Sequence, residues 1–177
     1  MSNWETMVKD ICEEKVVELG KPIIPSISDV DNKAIHEFPT GAKRDIQDDK
    51  GRCDLLPLDV VADILDSDPY IALIDEFMRF GNVITLVTLL KCYLIATYGS
   101  IEEGFLELSI HFWEGAKKYG IDNWKIGIPI RSYISSAVRH RIKMIRGDTD
   151  ERHDRAFAWN IICAIWTMAN KPECIDL

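Results

Sequence analysis

Three short sets of polar side chains hold most of the chemistry open to this chain. Glu107, His111, Glu114 and Lys118 recur at intervals of three and four residues, so on a helix they fall within about 60° of one another and form one stripe. Glu151 and Asp154 repeat the three-residue interval. Two carboxylates so placed can reach one hard cation, and Mg²⁺ takes one or two protein carboxylates together with phosphates and waters. Ser136, Arg139, Lys143 and Arg146 make a third, basic stripe, and arginine forks match phosphate oxygens. Each set also has a plain structural reading: a solvated helix face, acids opposing a helix dipole, a basic helix neutralising acidic neighbours. Their crowding into residues 107–154, with three of the four histidines (His111, His140 and His153), marks this stretch as the candidate site.

Other chemistries find no support. There is no G-x-S-x-G elbow, no Cys–His pairing, no P-loop and no dinucleotide fingerprint. The cysteines Cys12, Cys53, Cys92, Cys163 and Cys174 are scattered without C-x-x-C spacing. They read as reduced cytosolic thiols and offer no zinc site. A net charge of -8 excludes non-specific binding to duplex nucleic acid, yet leaves room for a basic patch that holds a small phosphorylated ligand. Ser2, Asn3, Trp4 and Glu5 lack the basic start of a signal peptide. The most apolar run, residues 83–98, contains Thr85, Thr88 and Lys91 and falls short of the roughly 20 residues a membrane span needs. The expectation is a soluble, cytoplasmic protein with no membrane partner.

The elements that must position these side chains read as helices. Trp4, Met7, Val8, Ile11 and Cys12 share helical spacing up to Gly20, and residues 21–57 form an irregular, proline-bearing arm. A short helix is expected over residues 58–65, another opens at Asp68-Pro69, and a long apolar one follows Gly81-Asn82. Ser100-Ile101-Glu102-Glu103 fits a capping box for a helix that Gly120 stops. Its core face is expected to be Phe105, Leu108, Phe112 and Ala116. A loop over residues 121–129 leads through Pro129 to a helix ending at Gly147, and Asp148 to Glu151 are expected to cap the last helix. No strand signal competes, so the fold class is all-α, with six or seven helices. The domain reading is an N-terminal helix and arm over residues 1–37 and a single domain over residues 38–177.

Several ordered blocks carry a resemblance. Phe38-Pro39-Thr40-Gly41-Ala42-Lys43-Arg44-Asp45, Lys50-Gly51-Arg52-Cys53-Asp54-Leu55-Leu56-Pro57 and Glu114-Gly115-Ala116-Lys117-Lys118-Tyr119-Gly120 with Asn123-Trp124 are similar to a phage and prophage family of dATP/dGTP diphosphohydrolases. Ser136-Ala137-Val138-Arg139-His140, Asp150-Glu151 with His153, and Ala158-Trp159-Asn160 continue it. The match covers residues 38–170 in blocks, with residues 66–103 looking like a helical insertion.

The resemblance implies a MazG-like helical bundle that hydrolyses purine deoxynucleoside triphosphates to monophosphate and pyrophosphate with Mg²⁺, or Mn²⁺ in its place. Its metal ligands would be Glu107, His111, Glu114, Glu151 and Asp154, although His111-x-x-Glu114 departs from the family's paired glutamates. Glu107, Glu114 and Glu151 would be catalytic. Arg44, Arg52, Lys118, Asn123, Trp124, Arg139, His140 and Lys143 would contact the nucleotide, and a homo-oligomer, dimer or tetramer, would complete the bundle. The competing expectation is a protein of the same fold that binds a nucleotide, or a nucleotide-derived signal, without hydrolysing it. A phage-encoded chain of either kind would work in the host cytoplasm.

Overall fold

A computed structural model describes residues 35–46 and 50–177. The expected helix at residues 4–19 lies outside them. The described chain is all-α apart from one small hairpin. Strands β1 (Ile35–Glu37) and β2 (Lys43–Asp45) pair antiparallel, and six helices follow: α1 (Leu58–Ile64), α2 (Pro69–Phe80), α3 (Val83–Tyr98), α4 (Ile101–Tyr119), α6 (Ile130–Arg146) and α7 (His153–Asn170), with a single turn α5 (Asn123–Ile126) between α4 and α6. Among the described residues no single helix is long and apolar enough to cross a membrane.

Local chemistry fixes most boundaries. The Asp68 carboxylate accepts from the amides of Tyr70 and Ile71, and Pro69 takes the first helical position. Asn82 caps α3 in the same way, and the Ser100 hydroxyl accepts from the Glu103 amide at 3.1 Å to start α4. The hairpin was not legible as a strand pair. Its Pro39-Thr40 turn is closed by the Gly41 amide on the Phe38 carbonyl at 2.8 Å, with Gly41 in the left-handed region at φ 88°. What holds it is tertiary. Asn123 pairs twice with the Lys43 backbone at 2.8 Å, and Thr40 donates to the Gly127 carbonyl at 2.5 Å.

Helix α7 runs through the centre, packed on α6, α3 and α4. Phe157 is fully buried and meets Tyr93 at 4.6 Å between ring centroids and Tyr70 at 6.2 Å. Truncating such a side chain to alanine costs about 3–5 kcal/mol. Two expectations change here. Helix α7 starts at His153 with no side-chain cap, so Asp148 to Glu151 form a bend outside it and Glu151 is not in its first turn. On α4, Phe105 is 47% exposed, while Gly104 and Leu108 face inward. The cause is a close approach to α3. A Cβ on Gly104 would sit 2.7 Å from Leu94 Cδ2, so this turn of α4 lies flat on its neighbour and the helix rolls. The roll carries Glu107 and His111 toward α7 and leaves Phe105 outside.

Candidate functional site

Hairpin, α4, α6 and the start of α7 enclose a cleft of about 620 Å³. Its lining carries the cations Lys43, Arg44, Lys50, Lys118, Arg139, Lys143 and Arg146 against the carboxylates Asp45, Glu114, Asp150 and Glu151. The protein is acidic overall, so this local surplus of positive charge is a concentrated one. The basic stripe of α6 is one wall and the outer half of the α4 stripe is another. Ser136, His111, His140, Trp159 and Asn160 complete it.

Arg44 sits deepest. Its guanidinium lies 5.6 Å from the Tyr133 ring centroid and 5.7 Å from that of Trp159, a cation held by aromatic faces. It donates to Asn160 Oδ1 at 2.5 Å and to the Ser132 carbonyl at 3.3 Å. No carboxylate pairs with it among the described residues, and loss of water around it pulls its pKa below the usual arginine value. Beside it, Asp45 accepts from Tyr119 at 2.5 Å and pairs with Lys118 at 2.6 Å. Burial alone would raise the Asp45 carboxyl, but these two donors hold it below its ordinary value. His111 Nδ1 is buried without a hydrogen-bond partner among the described residues and stands 3.7 Å from Glu114 Oε2. Burial, helped by Arg155, pushes its imidazole down to about 4, so it is neutral at neutral pH.

A second pocket of about 430 Å³ adjoins the cleft, sharing Gly115, Tyr119, Asn123 and Trp159 with it. It is aromatic: Phe112, Trp113 and Trp124 line it as well. Trp124 itself packs edge-on against Phe112 at 5.4 Å and Trp166 at 5.0 Å.

The two acidic sets do not converge. Glu107 accepts from Arg155 at 2.5 and 2.7 Å and lies 3.5 Å from Arg152. Asp154 is gripped by both arms of the Arg152 fork at 2.6 and 2.9 Å and accepts from Tyr98 at 3.0 Å. Burial would raise Asp154, yet the Arg152 fork keeps it below the ordinary carboxylate range. These acids form a closed ion-pair network on the far side of α7's first turn. Glu151 points the other way, to His140 and His153 at 3.3 and 3.2 Å. The five side chains expected to share metal are thus split between two faces, with both oxygens of Asp154 and Oε2 of Glu107 engaged by arginines.

Of the expected nucleotide contacts, Arg44, Lys118, Asn123, Arg139, His140 and Lys143 line the cleft. Arg52 does not: it forks onto Asp54 at 2.6 and 2.7 Å. Trp124 belongs to the aromatic pocket. Reading by spacing missed the roles of Arg152 and Arg155, whose positions beside Asp154 signalled neutralisation. It also missed the contact between Asp45 and Tyr119, which only tertiary folding brings together.

Fold and site together define an all-α protein with a basic cleft closed by an N-terminal hairpin. Residues 89–176, about half the chain, match the family described as dATP/dGTP diphosphohydrolase, N-terminal, and through this region the chain is a member of that family. This agrees with the motif resemblance. No curated protein and no solved structure matches the chain.

Proposed function

We propose that the basic cleft binds a purine deoxynucleoside triphosphate and hydrolyses it to the monophosphate and pyrophosphate. The observation that carries this reading is Arg44, a half-buried guanidinium without a carboxylate partner among the described residues, in the lining of a cleft richer in cations than in anions. A triphosphate supplies the missing negative charge, with Arg44 and Arg139 below it and Lys143 and Lys118 at its edges. The adjoining aromatic pocket takes the base, since rings stack on any purine face. Family membership supports the diphosphohydrolase class.

In this reading water adds to the α-phosphorus, the bond to the α–β bridging oxygen breaks, and pyrophosphate leaves with that oxygen. Glu114, whose only ion-pair contact among the described residues is neutral His111, takes the proton from the water. Mg²⁺ enters as the counter-ion that the nucleotide carries on its own phosphates. The test is incubation of purified protein with each deoxynucleoside triphosphate with and without Mg²⁺, resolving products by anion exchange. Monophosphate and pyrophosphate in equal amounts, lost in Glu114→Gln and Arg44→Ala, are expected; no turnover of any triphosphate removes the hydrolase reading.

One observation favours a second reading. With Glu107 and Asp154 tied to arginines, the cleft holds fewer available carboxylates than the MazG-like scheme requires. A protein that captures the nucleotide intact fits that deficit. Recovery of unchanged nucleotide after denaturing an equilibrated complex would identify it. The exposed stripe of Phe105, Leu106, Ile110 and Trp113 on α4 is where the expected homo-oligomer would associate, and sedimentation of wild type against Trp113→Glu reads this out.

A further inference from the structure

We infer that His140, His153 and Glu151 form a binding site for a divalent transition-metal ion in the wall of the cleft. His140 Nδ1 and His153 Nδ1 are 3.0 Å apart. Glu151 Oε1 lies 3.3 Å from the first and 3.2 Å from the second, so the three atoms make a nearly equilateral triangle. Donors about 2.1 Å from one ion stand about 3.0 Å apart at octahedral angles and about 3.4 Å apart at tetrahedral ones. The observed edges lie between these limits.

The surroundings hold this triangle in place. His153 Nε2 meets Asp150 Oδ1 at 2.8 Å, which puts the proton on Nε2 and turns the Nδ1 lone pair toward the other two atoms. The His153 side chain is 2% exposed and cannot swing away. Because α7 starts at His153, the preceding bend folds Glu151 back over both rings, with the His153 amide on the Glu151 carbonyl at 2.9 Å.

An ordinary hydrogen-bonded histidine pair accounts for this less well. With His153 protonated on Nε2, the one proton on His140 Nδ1 would face two acceptors, His153 Nδ1 and the Glu151 carboxylate. A cation at the centre satisfies all three. Two imidazoles and a carboxylate suit Mn, Fe, Co, Ni or Zn in the divalent state, whereas Mg²⁺ prefers oxygen alone. The alternative set of Asp148, Asp150 and His153 draws on carboxylates already paired with Arg146 and Lys143. The site does not depend on hydrolysis and would stand equally in a protein that only binds nucleotide.

The experiment titrates the chelator-stripped full chain with Co²⁺ and Zn²⁺ by calorimetry, with Mg²⁺ for comparison, and follows the visible ligand-field bands of bound Co²⁺. We expect one ion per chain and an affinity for Co²⁺ and Zn²⁺ at least about 100-fold above that for Mg²⁺. Glu151→Gln, an exposed position whose variant keeps the fold, and His140→Ala should each weaken binding by about 100-fold or more. Absence of saturable binding, binding unchanged in Glu151→Gln, or a greater loss in Asp148→Asn than in Glu151→Gln would overturn the site. Metal-loaded protein that fails to turn over any triphosphate would count against the hydrolase reading and leave the site standing.

Discussion

The first turn of α7 separates two regions built from the same residue types. On one side Glu107, Asp154, Arg152 and Arg155 answer each other, charge for charge, and Tyr98 takes part of the remaining valence. On the other, Arg44 lies between rings with no carboxylate partner among the described residues, and His140, His153 and Glu151 crowd three donor atoms together. The first region balances its own charges; the second leaves a cation and three donor atoms for the proposed anion and metal ion to answer. A site is distinguished less by which ionisable residues it holds than by whether they cancel.

That contrast can be broken from either side. The largest effect is expected from Glu107→Ala, which strands Arg155, an arginine only 8% exposed, without its partner. A loss of about 3 kcal/mol in unfolding free energy, the low end for a broken buried pair, should appear in denaturant titration with nucleotide affinity of the remaining folded protein unchanged. Arg44→Ala should do the reverse in kind. Nucleotide affinity measured by calorimetry should fall by about 30- to 100-fold, a loss typical of a charged hydrogen-bonding group at a buried contact.

Acid should weaken both regions, in different windows. Asp154 has a folded pKa below its unfolded value near 4, so its stabilisation is present above that value and disappears as the pH falls through the lower, folded one. His111 acts in the same direction at higher pH: folded near 4 and unfolded near 6.5, it costs stability progressively as pH drops between them. His140, which burial pushes down to about 2, adds to the same window. Melting temperature followed from pH 7 downward should decline first there, and His111→Gln should lessen that slope while His140 keeps part of it. The smallest effect is expected from Lys143→Ala at the cleft rim, about fivefold or less in nucleotide affinity and vanishing at high salt.

The helices were legible because their signals are local. Asp68-Pro69, Ser100 with Glu103, and the closing Gly147 each satisfy or end a helix within four residues. The hairpin was not legible, since its stability comes from Asn123 and Gly127, some 80 residues away. Helical spacing placed Glu107, His111 and Glu114 on one side of α4 correctly, and the basic stripe of α6 reached the cleft as its spacing implied. Spacing said nothing about what stands opposite. Arg155 against Glu107 and Arg152 against Asp154 are choices of partner made by packing. The roll of α4 was likewise invisible, because it depends on how closely Gly104 lets Leu94 approach.

The hydrogen bond from Arg44 to Asn160 joins residues 116 positions apart. During synthesis the hairpin must therefore wait until α7 has left the ribosome before its arginine finds a seat, and loop closure over that distance makes this among the later contacts to form. Helical content would be reached first and the cleft last. A chain stalled between those two moments would look folded by circular dichroism and yet lack its cleft.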